Sequence, residues 1–279
     1  MKKVLIFFLL LSLTACAAPA EEPPPVPEAV ETLAPAPQEE EAFFLGIGVT
    51  AHVSKSMHAT YDFPGYARTE VTVAAVVVDG DGIIRSCTID GISAVISFDN
   101  TGALLPSNGT AFSSKTALGR DYGMHKASPL GTEWYQQAAD FAAACVGKPW
   151  AQLQAGDTAT SVTISTDALW QAVRSAAAEA HTAVPTAETP LLICRAVIAD
   201  SRSASTDDGI PGLARLRAAA LACVGDTAVT CALLSAVPFT AAGRIDCDIS
   251  QPLSPLSDVL LPAEITEEEL SALRDLAAS

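Results

Sequence analysis

Arg68-Thr-Glu-Val-Thr-Val-Ala-Ala-Val-Val-Val-Asp79-Gly-Asp-Gly-Ile-Ile-Arg-Ser-Cys87-Thr-Ile-Asp90 is the stretch that decides the fold. Two runs rich in Val, Ile and Thr flank Asp79-Gly80-Asp81-Gly82, where glycine supplies the positive φ of a tight turn, so the segment reads as an antiparallel hairpin. Nothing in it is an evident nucleophile, base or metal ligand. Upstream, Phe43 to Ser54 reads as a strand and Lys55 to Pro64 as a polar loop; downstream, Gly91 to Phe98 reads as a strand closed by the turn residues Asp99-Asn-Thr-Gly102. Leu104 to Pro129 is irregular and rich in Gly, Ser and Lys. Helical spacing begins near Thr132 with Trp134, Ala138, Phe141 and Cys145, and Gly147 is placed to end that helix. A second helix starts after Ser165 or Thr166 and carries Leu169, Val173, Ala176 and Ala180 on one face.

The first part of this pattern recurs. Ser201-Arg-Ser203 and Pro211-Gly-Leu-Ala-Arg215 restate Ser54-Lys-Ser56 and Pro64-Gly-Tyr-Ala-Arg68; Asp79 falls on Asp226, Cys87 on Cys231 and Phe98 to Gly102 on Phe239 to Gly243. The chain therefore reads as α+β, with two tandem repeat units at 43–184 and 187–279, each an antiparallel sheet with a packed helix. The second copy is truncated. It lacks the counterpart of Lys115 to Thr163 and ends in one helix, with a Thr266/Glu269 capping box and an apolar stripe of Leu270, Leu273 and Leu276. A single fused sheet is the alternative arrangement.

Lys2 and Lys3 precede an apolar run from Val4 to Leu13 that is too short for a stable membrane span, and the run ends in Leu13-Thr14-Ala15-Cys16. That pattern matches the bacterial lipobox: residues 1–15 are read as a lipoprotein signal peptide and Cys16 as the lipidated first residue. Localisation on the outer face of the cell membrane follows. A simple cleaved secretory peptide is the plainer alternative. Residues 16–42 read as an acidic Pro-rich tether, since Ala17 to Ala42 holds seven Glu, seven Pro and no basic residue. With a net charge of −16 over the 279 residues, nucleic-acid binding through a basic face is not expected. Six cysteines follow Cys16 without any C-x-x-C; Cys223 and Cys231, flanking a predicted turn, form the preferred pair if a disulfide exists, with buried free thiols as the alternative.

Asp79, Asp81 and Asp90 fit a calcium loop poorly, because Ile83 stands at an oxygen-ligand place and glycine is missing from the sixth. His52, His58 and Asp62 read as a surface loop rather than a metal site. Hydrolase, Walker and Rossmann signatures are absent. What remains is Lys115-Thr-Ala-Leu-Gly-Arg-Asp-Tyr122-Gly-Met-His-Lys126, then Trp134 and Tyr135, then Asp157 to Thr163. Such segments contain what a flavin needs: an apolar wall for the ring, donors for the phosphate and hydroxyls for the ribityl chain. A connecting loop packed on a helix explains the same composition.

The order of lipobox, acidic tether, Val-rich hairpin, Leu-Gly-x-Asp-Tyr-Gly-Met, Gly-x-Glu-Trp and a Thr-rich turn opening a helix resembles the FMN-binding-domain-related lipoproteins of anaerobic Gram-positive bacteria. The resemblance covers about 43–180, and 190–250 as a degraded copy. In the wider family the attachment pattern is Asp-Gly-x-Ser/Thr-Gly-Ala-Ser/Thr, which puts Asp157 on the Asp, Thr160 on the first hydroxyl residue and Thr163 on the attachment residue. Thr158 and Ser161 stand in place of both glycines and Val162 in place of Ala. The resemblance implies FMN as cofactor and a redox partner of unknown identity; if flavin is held here, Lys115 or Lys126 is expected to approach the phosphate and Tyr122, Met124 or Trp134 to form the ring wall. It implies a flavin-binding electron carrier rather than an enzyme; the alternative is a non-enzymatic binding or scaffold lipoprotein that has lost the flavin.

Overall fold

The computed structural model describes residues 41–107, 109–154, 162–249 and 259–278, which belong to one compact unit. The fold is α+β. Strands β1 (Phe43–His52), β2 (Gly65–Asp79) and β3 (Ile84–Phe98) make an antiparallel meander, with Phe43 opposite Asp79 and Gly65 opposite Phe98. The Asp79 turn closes as the sequence suggests. Its carboxylate accepts the Asp81 and Ile83 amides at 3.0 and 2.8 Å, and Gly82 takes φ 76°. The segment read as irregular contains the short strand β4 (Ala111–Ser113), the one-turn helix α1 (Lys115–Leu118) and two 3-10 turns, and leads to α2 (Trp134–Cys145) and α3 (Asp167–Ala178). Strand β5 (Thr182–Val184) returns to the free edge of β1, giving a four-stranded sheet in the order β3-β2-β1-β5.

The second sheet is built from β6 (Leu191–Ile198), β7 (Gly212–Val224), β8 (Thr227–Phe239) and β9 (Leu260–Ala263), with α4 (Glu267–Ala278) at the end. Its order is β4-β6-β7-β8-β9, so β4, from within residues 43–184, hydrogen-bonds to β6. The sheets are therefore stitched together in sequence as well as in space. Their inner faces share one core, in which Ile47, Val71, Val73 and Ile92 meet Leu192, Leu216, Ala218 and Leu233. Buried Thr69 and Ser235 hydrogen-bond across it at 2.9 Å. The outer face of the first sheet is covered by α2 and α3, with Val76, Val78 and Ile89 beneath Phe141, Leu169 and Val173. Gly46 and Gly48 make this possible: a Cβ on either would lie 2.0 Å from the Ala176 carbonyl oxygen or 2.3 Å from its nitrogen. On the second sheet α4 covers less, burying Leu273 while Leu276 stays half exposed, so the expected leucine stripe is only partly used.

The two meanders share their register and touch reciprocally at one end. Gly212 pairs with Phe239 as Gly65 pairs with Phe98, and the two phenylalanine rings stack with centroids 4.2 Å apart. Ala59 N donates to Gly243 O at 2.7 Å, and Ala204 N to Gly102 O at 2.8 Å. Both glycines take positive φ, 74° and 63°, and a Cβ on each would strike the other's turn. Two details correct the sequence alignment. Ser56, rather than Ser54, bonds Arg68 as Ser201 bonds Arg215. Cys87 lies opposite Val76, whereas Cys231 lies opposite Ala220, the place that Asp90 holds opposite Val73 in the first meander.

Candidate functional site

Beyond the helices, the outer face of the first sheet ends in a polar cluster centred on Glu70. Strand alternation puts His52, Arg68, Glu70 and Ser93 on this side, and α1 folds over them. Ser114 caps α1 by accepting the Ala117 amide at 3.1 Å, and this seats Lys115 inward. The Lys115 ammonium lies 2.9 Å from Glu70 Oε2, and both side chains are about 95% buried (6% and 5% exposed). Glu70 Oε1 accepts from Arg68 Nε at 2.7 Å and Ser93 Oγ at 3.0 Å, with Lys55 at 3.7 Å. Burial alone would raise the Glu70 carboxyl, but Lys115, Lys55 and Arg68 outweigh it and hold the pKa at about 2. The same Lys115 ammonium sits 4.5 Å from the Trp134 ring centroid and 5.4 Å from that of Tyr122. Tyr122 is pushed up, first by burial and then by the Glu70 charge.

A second polar set hangs from the start of α2. Glu133, buried, accepts the Met124 and His125 amides at 3.0 and 3.2 Å and bonds the His125 ring. Burial would raise its carboxyl, but these donors outweigh it and hold it below the usual carboxylate range. One turn on, fully buried Gln137 accepts the Thr163 amide at 2.7 Å, the Thr163 hydroxyl at 3.1 Å and the Ile164 amide at 3.2 Å, while its Nε2 donates to Thr132 and Ser128.

Lys115, Tyr122 and Trp134, expected in one site, do come together. Met124 packs near them at the margin of the helix-side core, as do Val162 and Ile164. Thr163 precedes α3 as expected, but its hydroxyl is bonded to Gln137, and Lys115, one of the two lysines expected to approach it, is bonded to Glu70. Asp157 and Thr160 lie outside the described residues. Glu70 and Gln137 carry no sequence signal of their own, and Glu133 stands in the Gly-x-Glu-Trp motif without a role assigned to it; at the helix start it forms a capping box with Gln136.

Acid–base chemistry has little purchase here. Glu70 and Glu133 are held ionised, and burial raises the Cys87, Cys145, Cys194 and Cys231 thiols, Cys231 to about 12, so they stay protonated. His52 is lowered, chiefly by burial, and bonds Ser54 through Nδ1 at 2.9 Å. The nearest carboxylate, Glu70, is committed to Lys115, Arg68 and Ser93, so it does not complete a triad. Cys223 and Cys231, the pair preferred from sequence, face opposite sides of the second sheet: Cys223 packs under α4 and Cys231 between the sheets. Among the described residues no group of three or more His, Cys, Asp or Glu side chains is placed to hold a metal ion, and His58 instead accepts the Ile245 amide. An open groove of about 680 Å³ lies on the other sheet, lined by Leu213, Leu234, Pro238, Val259, Leu261 and Arg215. No family model, curated protein or solved structure matches the chain.

Proposed function

We propose that the chain is a lipid-anchored extracytoplasmic protein, tethered through Cys16, in which a frame related to flavin-binding electron carriers serves a non-enzymatic binding or scaffold role. The observation that carries this reading is the Lys115–Glu70 pair between Tyr122 and Trp134. A flavin site needs an aromatic wall for the ring and a free cation or hydroxyl for the phosphate. Here the wall holds the lysine itself, the lysine is neutralised by a buried carboxylate, and the Thr163 hydroxyl is taken by Gln137. As arranged, these residues do not fit FMN. Freeing Lys115 would take from buried Glu70 its strongest cationic neighbour and leave it only Arg68, Lys55 and Ser93, an opening with an energetic cost.

The electron-carrier reading keeps one observation in its favour. Tyr122, Met124, Val162 and Ile164 pack against the same core that holds Trp134, so the described parts of these segments meet at one core. Protein purified from a host able to attach flavin separates the two. A colourless product with the unmodified mass of the processed chain is expected, and visible flavin absorbance or an FMN-sized adduct removed by Thr163→Ala supports the carrier instead. The anchor is tested separately: Cys16→Ser is expected to abolish lipid modification and move the protein to the soluble fraction. Normal processing with unchanged membrane retention contradicts it.

A further inference from the structure

The loop that joins β1 to β2 is fastened at its base and exposed at its tip. Met57 bridges Tyr66, the Ala59 amide donates to Gly243 O at 2.7 Å, and His58 Nδ1 accepts the Ile245 amide at 2.9 Å. At the tip the Thr60 amide donates to Phe63 O at 2.8 Å and the Phe63 amide to Thr60 Oγ1 at 3.1 Å. What the loop presents is apolar. Tyr61, Phe63 and Met57 are 92%, 73% and 54% exposed, the three most exposed large apolar side chains among the described residues. Single apolar residues are ordinary on a protein surface, but three together on one seven-residue loop are not.

The second meander supplies a control. Its loop between β6 and β7 repeats the frame: Arg202 bridges Leu213, the Ala204 amide donates to Gly102 O at 2.8 Å and the Ser205 amide to Ile210 O at 2.9 Å. Within that last closure stand Thr206, Asp207, Asp208 and Gly209, all exposed, where the first loop has Tyr61 and Asp62, and Ile210 takes the place of Phe63. Crossing from one meander to the other therefore needs no aromatic ring. Tyr61 and Phe63 are not there to build the loop.

We propose that this loop docks a neutral β-1,4-linked polysaccharide, whose equatorial substituents leave flat C–H faces for Tyr61 and Phe63 to stack on. Three observations select that occupant. The tip is narrow: with roughly 150–250 Å² for each aromatic side chain, it falls short of the roughly 800 Å² per partner of a stable protein interface, whereas a single file of sugar rings needs no more. The second is charge. The chain carries −16 and Asp62 stands between the two rings in sequence, so anionic lipid surfaces and anionic polymers are repelled. Uncharged hydroxyls are not repelled: they can donate to Asp62 and accept from His58 Nε2, which carries the hydrogen of the neutral ring because Nδ1 is an acceptor. The third is place, and it rests on the anchor proposed above. The chain enters the fold at Glu41, bonded to Arg85 beside the Asp79 turn, and β1 carries it about 30 Å before the loop begins, so the loop lies at the end remote from the tether.

The test is depletion of the purified processed chain from solution by cellulose and chitin particles, with soluble cellohexaose and chitohexaose as competitors. Saturable retention on at least one particle is expected, released by the matching hexasaccharide. Tyr61→Ala and Phe63→Ala should each weaken it about tenfold and the double variant should abolish it, with thermal transitions unchanged. Asp207→Ala in the twin loop should leave it intact. The Cys16→Ser chain should be retained equally well, so a failure here leaves the anchor untouched. No retention on either particle, or retention that the double variant keeps, overturns the proposal. So does binding to phosphatidylcholine vesicles in its place that the double variant loses, which makes the occupant a lipid surface, or self-association lost in the same variant, which makes it a second copy.

Discussion

The two meanders share a register but carry opposite charge at the same place. In the first, β2 presents Glu70 and a helix answers with Lys115; in the second, β7 presents Arg217 at the corresponding register position and α4 answers with Glu269 at 2.7 Å. Burial differs as well. Glu70 and Lys115 are 5% and 6% exposed, Arg217 and Glu269 25% and 13%. Small residues explain part of this: Gly46 and Gly48 let α3 lie against β1, whereas Leu191 and Ile193 hold the matching places in β6, and Leu191 is half exposed. One backbone frame thus supports a closed face and a more open one, and the dressing decides which.

The largest effect is expected at the closed face. Lys115→Met leaves buried Glu70 with Arg68 and Ser93 but without its main partner and should cost about 3 kcal/mol in denaturant unfolding. The double change Glu70→Gln with Lys115→Met should recover much of that loss. A single substitution as mild as one at the exposed surface would break the comparison. Acid unfolding should report the same group. Glu70 is depressed from 4.5 to about 2, so its contribution is complete above pH 4.5 and is lost as pH falls through about 2. The full difference is on the order of 3 kcal/mol, and in Glu70→Gln the stability profile between pH 5 and 2 should flatten accordingly.

Gly48→Ala comes next, at roughly 1–3 kcal/mol, because the new methyl group forces α3 away from β1. Loss of near-ultraviolet ellipticity from displaced aromatic residues would accompany it. Breaking the open face should be milder: Arg217→Ala removes a partly exposed pair with Glu269 and is expected to cost about 1 kcal/mol, with α4 fraying first in hydrogen exchange.

The hairpin and the helices were legible because short-range chemistry specifies them: the Asp79 turn, the Thr266/Glu269 capping box with bonds of 2.8 and 3.2 Å, and the helix over Asp167–Ala178. Lys115, Tyr122 and Trp134 were legible as a group because they are close in sequence and chemically distinctive. Glu70 was not. A glutamate in a strand reads as solvent-facing, and its burial depends on α1 folding over it from a distant part of the chain. Gln137 was hidden for the same reason, since its three acceptor bonds go to a segment beyond the end of its own helix. The cysteine pairing failed because Cys223 and Cys231 are near one another in sequence, while strand alternation sends them to opposite faces.

The account rests on Lys115 and Thr163 being committed inside the protein, and the most direct measurement is equilibrium dialysis of FMN against the purified processed chain at neutral pH. No saturable binding is predicted for the unaltered protein. Saturable binding that is lost in Lys115→Met, shown by circular dichroism to remain folded, and weakened in Thr163→Ala would contradict it.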